Sequence, residues 1–83
     1  MNSITKRVKD VVDYSGLTIR DFAKKIAIPQ TTLYSQLSGH RSISIITIQK
    51  IVKAYPEIEE RWLLIGDGQM LSIKALIAQK RMK

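Results

Sequence analysis

The strongest constraint in this sequence is a connection of only two residues, Ile28 and Pro29, between two segments of helical pattern. The segment before it carries apolar residues at the spacing of one helical face, namely Ile19, Phe22, Ala23 and Ile26. The segment after it repeats leucine about one turn apart, at Leu33 and Leu37. Proline ends one helix and suits the first position of the next, because its φ is fixed. A connection this short makes the two helices cross steeply, with the small residue Ala23 at the crossing.

Hydroxyl residues mark the starts of three predicted helices. Ser3, Thr18 and Ser44 are each suited to cap a helix, and Gly16 ends the first of them. Residues 42–46 also alternate serine with isoleucine, as a strand does, but helical spacing continues for two further turns and favours a fourth helix. The residues of this fourth helix that are expected to face the core are Ile45, Ile48, Ile51, Val52 and Tyr55.

The last third of the chain predicts two more helical segments. Pro56 breaks the fourth helix, and residues 57–64 predict a short fifth helix that ends at the turn of residues 66–68. Residues 72–83 have helical spacing and no acid, which is typical of a basic amphipathic helix. We therefore expect an all-α fold, with one five-helix domain over residues 1–71 and a helical tail over residues 72–83. The tail can pack on the domain, pair with a second subunit or lie on an anionic surface, and we favour pairing.

Composition and charge limit the classes of protein to which the chain can belong. Its 83 residues include no cysteine, which excludes a disulfide scaffold and a thiolate metal site and fits a reducing, cytoplasmic setting. Its apolar runs are far shorter than the roughly 20 residues that a membrane span needs. The net charge of +7 is uneven, since residues 16–42 hold four cations against one acid. This pattern indicates a polyanionic partner.

No residue pattern points to catalysis, a metal or a cofactor. The sequence has no nucleophile–base pair and no glycine-rich phosphate loop, so we expect a protein that is not an enzyme and uses no cofactor. His40 is the single histidine, for which a solvated or phosphate-adjacent role is more typical than metal binding. Glu57, Glu59 and Glu60 stand at a predicted helix start, where the helix dipole favours acids. No small-molecule ligand is indicated.

The predicted third helix, Gln30–Leu37, has an outward face of uncharged hydrogen-bonding side chains. This face consists of Gln30, Thr31, Tyr34 and Ser35. Such side chains on the N-terminal half of a short helix are suited to the base edges of the DNA major groove. The helix has no Lys or Arg for bidentate contact with guanine, and Gln30 best matches adenine. The pattern therefore predicts binding to double-stranded DNA.

Two stretches of the sequence resemble a known family. Residues 18–39, TIRDFAKKIAIPQTTLYSQLSG, resemble the helix-turn-helix of the Cro/C1-type (XRE) phage-repressor family, and the resemblance covers about residues 4–65. Residues 62–71, WLLIGDGQML, resemble a closing motif of small prophage-type regulators in Bacteroides-like bacteria. The resemblance implies a lambda-repressor-like fold of five helices. It also implies a transcriptional regulator, with repression as the expected activity and the cytoplasm, with the nucleoid, as its location.

Functional positions of the family transfer to this chain by position. The resemblance implies that the bases are read by Gln30, Thr31 and Ser35, and Tyr34 lies beside them, where we expect it to reach a base edge or a thymine methyl group. It implies phosphate contacts at the start of the second helix, by Thr18 and Arg20, and in the loop after the third, by His40 and Arg41, and we expect a further one by Thr32. Ala27 departs from the glycine that the family prefers for a left-handed turn. An alanine there costs on the order of 1 kcal/mol if its φ is positive, or else the turn differs slightly.

Two classes of function remain open at this point. In the first, a homodimer occupies a pseudo-palindromic operator whose half-sites lie about 34 Å apart, or a multiple of that distance. In the second, the same fold is a non-catalytic protein-interaction module, an antitoxin or an adaptor, whose basic face meets an acidic partner protein. A DNA-binding protein loses affinity steeply with salt and still prefers one sequence over bulk DNA, which distinguishes the two classes.

Overall fold

The computed structural model describes residues 3–72, and within them the chain forms five helices and no strand. The helices are α1 (Ile4–Ser15), α2 (Ile19–Ile26), α3 (Gln30–Leu37), α4 (Ile45–Ala54) and α5 (Glu60–Ile65). For these residues the predicted all-α fold is confirmed. The predicted tail helix lies outside the described residues, apart from Ser72.

Three helices begin with the caps that the sequence predicts. The hydroxyl oxygens of Ser3, Thr18 and Ser44 each accept a hydrogen bond from the backbone N–H three residues on, at 3.1 to 3.2 Å. Each bond satisfies one of the backbone donors that the first turn of a helix leaves without a partner. At the other end of α1, Gly16 adopts a left-handed conformation with φ of 71°, which glycine accepts without steric cost. Local sequence thus determines where these helices start.

One apolar core holds the helices together. Phe22 of α2 stacks on Tyr55, just after α4, with 5.7 Å between ring centroids. Arg7 is a buried cation that joins α1 to α5, donating from Nε to the Leu63 carbonyl at 3.0 Å and from Nη2 to the Leu64 carbonyl at 3.1 Å. A positive charge at the C-terminal end of a helix is stabilised by the helix dipole. The main buried side chains are Val8, Val11, Phe22, Ile26, Leu33, Leu37, Ile48, Ile51, Ile58, Trp62 and Leu63.

The buried face of α4 differs from the prediction at its start. Ile45 was expected to face the core, but its side chain is 56% exposed. Thr47, Ile48 and Ile51 are buried instead, and around the helix Ile45 falls to the side of the stripe that these three residues define. Ile48 and Ile51, predicted to face inward, are confirmed.

The fifth helix begins three residues later than the predicted start at residue 57. Ile58 pairs with Leu71 in an isolated antiparallel bridge, which holds this part of the backbone extended. Two hydrogen bonds flank the bridge: Glu59 N–H donates to the Met70 carbonyl at 2.7 Å, and Ser72 N–H donates to the Glu57 carbonyl at 3.0 Å. None of the helices within residues 3–72 has the length and apolar character needed to cross a bilayer.

Candidate nucleic-acid interface

The turn between α2 and α3 is built from backbone hydrogen bonds. Ile28 N–H donates to the Ala23 carbonyl at 3.0 Å, and Ala27 N–H donates to the Lys24 carbonyl at 3.2 Å. This pair of bonds is the Schellman arrangement that ends a helix with one left-handed residue. That residue is Ala27, with φ of 62° and ψ of 46°. Of the two alternatives that the sequence leaves open at Ala27, a positive φ is therefore correct and a different turn is not.

The left-handed alanine is supported from α4. Lys50 Nζ donates to the Ala27 carbonyl at 2.8 Å, across 23 residues of sequence. A cation on the carbonyls at a helix end is favourable, because that end carries a partial negative charge. Lys50 also lines a groove of about 280 Å³ beside the turn, together with Lys25 and Lys53. No pattern in the sequence identifies Lys50 or Lys53 as neighbours of the turn. The helical periodicity of α4 does not show which distant segment its residues contact.

Two leucines and one glutamine hold α3 in place. Leu33 and Leu37 are buried, as the sequence predicts, and Gln36 is buried beside them. The Gln36 side-chain oxygen accepts a hydrogen bond from Thr47 Oγ1 of α4 at 2.9 Å. Sequence reasoning missed Gln36. Its position next to Leu37, on the inward side of the helix, was the signal that could have indicated a buried polar residue.

The four predicted base-reading residues share the opposite face of α3. Gln30, Thr31 and Tyr34 are exposed, Tyr34 at 59%, and Ser35 is half-buried. Positions 30, 31, 34 and 35 fall on one side of an α-helix, so α3 presents the four side chains together. No charged residue lies on this helix, which leaves hydrogen bonding and apolar contact as its means of recognition.

The predicted phosphate-contacting residues occur in two groups. His40 and Arg41 are exposed in the loop after α3, and Arg41 N–H donates to the Ser35 carbonyl at 3.1 Å. Thr18 and Arg20 are exposed at the start of α2 instead, and Thr18 already accepts the hydrogen bond that caps this helix. The remaining predicted contact, Thr32, is half-buried in the first turn of α3.

The arginines of the candidate interface, Arg20 and Arg41, take part in neither of the ion pairs found among residues 3–72. The two ion pairs found among residues 3–72, Lys6 with Asp10 and Arg61 with Asp67, both lie outside the interface. His40 Nδ1 is 2.7 Å from Ser38 Oγ, which orients the ring within the loop. Residues 3–72 contain no group of three or more His, Cys, Asp or Glu side chains placed to hold a metal ion.

Comparison with known proteins identifies the family. A family model described as helix-turn-helix matches residues 15–63, more than half of the chain, including α2, the turn and α3. The chain belongs to this helix-turn-helix family. It is accordingly a DNA-binding transcription regulator of the XRE type whose partner is double-stranded DNA. The five helices found within residues 3–72 confirm the lambda-repressor-like fold. No curated protein and no solved structure matches the chain significantly. The resemblance to Bacteroides-type prophage regulators stays a prediction.

Proposed function

We propose that this regulator is a repressor that occupies a pseudo-palindromic operator and reads it with α3 in the major groove. The uncharged hydrogen-bonding face of α3 is the observation that carries the proposal, because its residues sit on a helix held from behind by buried side chains. Functional residues on a rigid element recognise a ligand more selectively than residues on a mobile loop. Repression follows from occupying a promoter.

Each base-reading residue has a role that fits its chemistry. The Gln30 amide offers both a donor and an acceptor, which suits bidentate contact with N6 and N7 of adenine. Tyr34, exposed on the same face, can reach a base edge or a thymine methyl group. Thr31 and Ser35 add hydroxyls that donate or accept. An operator read this way carries A·T pairs opposite Gln30.

Residues on both sides of the base-reading contacts bind the phosphate backbone of the DNA. At the start of α2, exposed backbone N–H groups and Arg20 face one phosphate strand. After α3, His40 and Arg41 contact another, and Thr32 adds a hydroxyl from the first turn of α3. Such contacts set the register of the protein on DNA but carry no sequence information.

Two copies of the chain bind the two halves of the operator in this proposal. Residues 1–71 form the DNA-binding domain, and residues 72–83 pair two subunits so that the half-sites lie about 34 Å apart or a multiple of that distance. The protein acts in the cytoplasm on the nucleoid. Light scattering of the free protein and of its DNA complex tests the pairing, and a monomer at tens of micromolar in both would exclude it.

The experiment that tests the function is selection from a pool of randomised duplexes at about 150 mM salt, where charge-driven binding is weakened. We expect recovery of a two-fold-symmetric motif with A·T pairs in each half. The double variant Gln30→Ala/Thr31→Ala is the matched control, since it removes exposed side chains of α3 and should bind without that motif. Recovery by the unmodified protein without any enriched motif would contradict the proposal and favour a protein-interaction module.

A further inference from the structure

A side-chain hydrogen bond joins the candidate base-reading helix α3 to α4. Thr47 Oγ1 donates to Gln36 Oε1 at 2.9 Å. Both residues are buried, Gln36 at 4% and Thr47 at 2% exposure. The bond therefore lies behind the base-reading face, shielded from competing water.

The bridge continues to the cap of α4. Ser44 Oγ and Thr47 Oγ1 are 3.0 Å apart, and Ser44 Oγ also accepts the Thr47 backbone N–H at 3.2 Å. Thr47 has one hydroxyl proton and uses it on Gln36, so the Ser44 hydroxyl is the donor to Thr47 Oγ1. We call this chain of hydrogen bonds, from Ser44 through Thr47 to Gln36, the polar brace.

The loop that carries His40 and Arg41 is fastened to α3 at both of its ends. On its α3 side, Arg41 N–H donates to the Ser35 carbonyl at 3.1 Å. On its α4 side, Ser44 ends the loop and connects through the brace to Gln36. Ser35 and Gln36 are adjacent in sequence. A shift of the loop is therefore coupled to the segment of α3 formed by Ser35 and Gln36. Ser35 is itself a candidate base-reading residue.

Buried hydrogen bonds constrain orientation in a way that apolar contacts do not. Leu33 and Leu37 hold α3 by burial, which is favourable over a range of rotations because the hydrophobic effect has no direction. A hydrogen bond requires a narrow range of distance and angle. An apolar pair of the same shape is nearly as stable as a buried hydrogen-bonded pair. The hydrogen bond between Gln36 and Thr47 therefore does more to fix the rotation of α3 about its axis than to stabilise the fold.

We propose that the polar brace is a positioning element that couples the phosphate-contacting loop to the base-reading helix, and that discrimination between operator and bulk DNA depends on it. The inference rests on the proposed function, since it assigns a role in the same interface. Ser44, Thr47 and Gln36 touch no base in this scheme and act through the placement of Tyr34 and Ser35.

The test compares two affinities in each variant: that for the selected operator and that for a scrambled duplex of equal length and composition. The variant Gln36→Met/Thr47→Val removes both polar partners at similar volume. We expect its preference for the operator to fall about 3- to 30-fold, a range usual for mutations that alter coupling, while its affinity for the scrambled duplex changes little. The variant Thr47→Ser keeps the hydroxyl and should keep the preference.

A second pair of variants covers the case in which the double variant does not fold. Ser44→Ala and Ser3→Ala each remove one helix cap that accepts the N–H three residues on, but only Ser44 belongs to the brace. Both should lose stability in urea denaturation, Ser44→Ala by more because it also loses the hydrogen bond to Thr47 Oγ1, and only Ser44→Ala should lose operator preference. Folded brace variants with full operator preference would overturn the inference alone. An unmodified protein without any preference would instead overturn the proposed function, and the inference with it.

Discussion

The two helices of the helix-turn-helix are equal in length and differ in what holds them. α2 begins with a capping bond from Asp21 N–H to the Thr18 hydroxyl and has lysines in its last turn. Pro29 begins α3 without a side-chain capping bond, and no basic residue lies in the last turn of that helix. Helices of eight residues are marginal on their own, so one helix has local support and the other depends on its neighbours.

This difference connects stability with function. The outward face of α3 holds side chains that suit DNA rather than helix stability. α3 is held in place by Leu33, Leu37 and Gln36, which contact the rest of the domain. The predictions below run from large to small effects, and most of them test this division between the helices.

Removing the central anchor of α3 should have the largest effect. Leu33 is fully buried, so Leu33→Ala should lower the free energy of unfolding by about 2–5 kcal/mol through lost burial and a cavity. Urea denaturation measures the change. Ile46→Ala is the control, because Ile46 is 58% exposed and its loss should matter by less than about 0.5 kcal/mol. Equal losses in the two variants would remove the distinction between buried anchors and exposed apolar residues.

On the opposite face of α3, substitution should alter recognition and leave stability unchanged. Gln30→Ala should cost about 1–3 kcal/mol of discrimination at one A·T-bearing position of each half-site, because the variant cannot make the proposed bidentate contact to adenine. Selection with the variant protein measures this loss, and an unchanged sequence motif would rule out the assignment.

A loop substitution is the counterpart of Gln30→Ala. Arg41→Ala should weaken binding to all duplexes alike and lower the salt slope by about one unit, because the variant cannot make the proposed phosphate contact. If its loss were confined to one DNA sequence, the phosphate role of Arg41 would be wrong.

The caps provide a smaller and more local test. Thr18→Ala should lower the free energy of unfolding by about 1 kcal/mol, because the first turn of α2 loses its capping bond. Thr31→Ala is the matched change on α3, where the threonine is exposed and makes no capping bond, and its effect should stay within about 0.5 kcal/mol. Thermal unfolding without DNA compares the two, and a larger loss for Thr31→Ala would reverse the comparison.

The turn itself can be improved. Ala27 has a positive φ, so Ala27→Gly should relieve about 1 kcal/mol of strain, partly offset by a cost of about 0.4–1 kcal/mol from the freer unfolded chain. We expect the melting temperature to rise by roughly 2 °C, since a domain of this size gains 4–8 °C per kcal/mol. Ala23→Gly, in the regular part of α2, should instead lower the free energy of unfolding by roughly 1–2 kcal/mol, through lower helix propensity and the loss of a buried methyl group.

The smallest expected effect lies outside both helices of the motif. Burial raises the pKa of Tyr14 above its ordinary value of 10.0, and the hydrogen bond that its hydroxyl donates to Glu57 raises the pKa further. The folded protein then holds this proton more tightly than the unfolded chain does. The resulting stabilisation is present below pH 10 and is lost as the pH rises through the raised pKa.

Alkaline denaturation of a Tyr14→Phe variant measures that effect. The variant should lose stability less steeply than the unmodified protein above pH 10, because it has no proton to lose at this position. The two proteins should have parallel stability curves near neutral pH.

Much of the site was predictable because its signals are local. The bounds of α3 and the shared face of its four candidate base-reading residues follow from helical periodicity, and the predicted bounds are confirmed. The roles of these residues and of the phosphate-contacting set remain predictions. Arg7 and Gln36 were not found, because their partners are 57 and 11 residues away along the chain. A periodic pattern reports which face a residue occupies and not which distant atom it meets.

Local patterns in the sequence are enough to predict where α1 to α4 begin, the two-residue connection at Ile28 and Pro29, and the uncharged outer face of α3. Each of these depends on residues within about one helical turn, through capping, proline geometry and periodicity. The packing of the helices is what places Ile45 in solvent, starts α5 after an extended pair at Ile58 and Leu71, and brings Gln36 to Thr47. These features depend on which helices pack together, and that is a property of the whole chain.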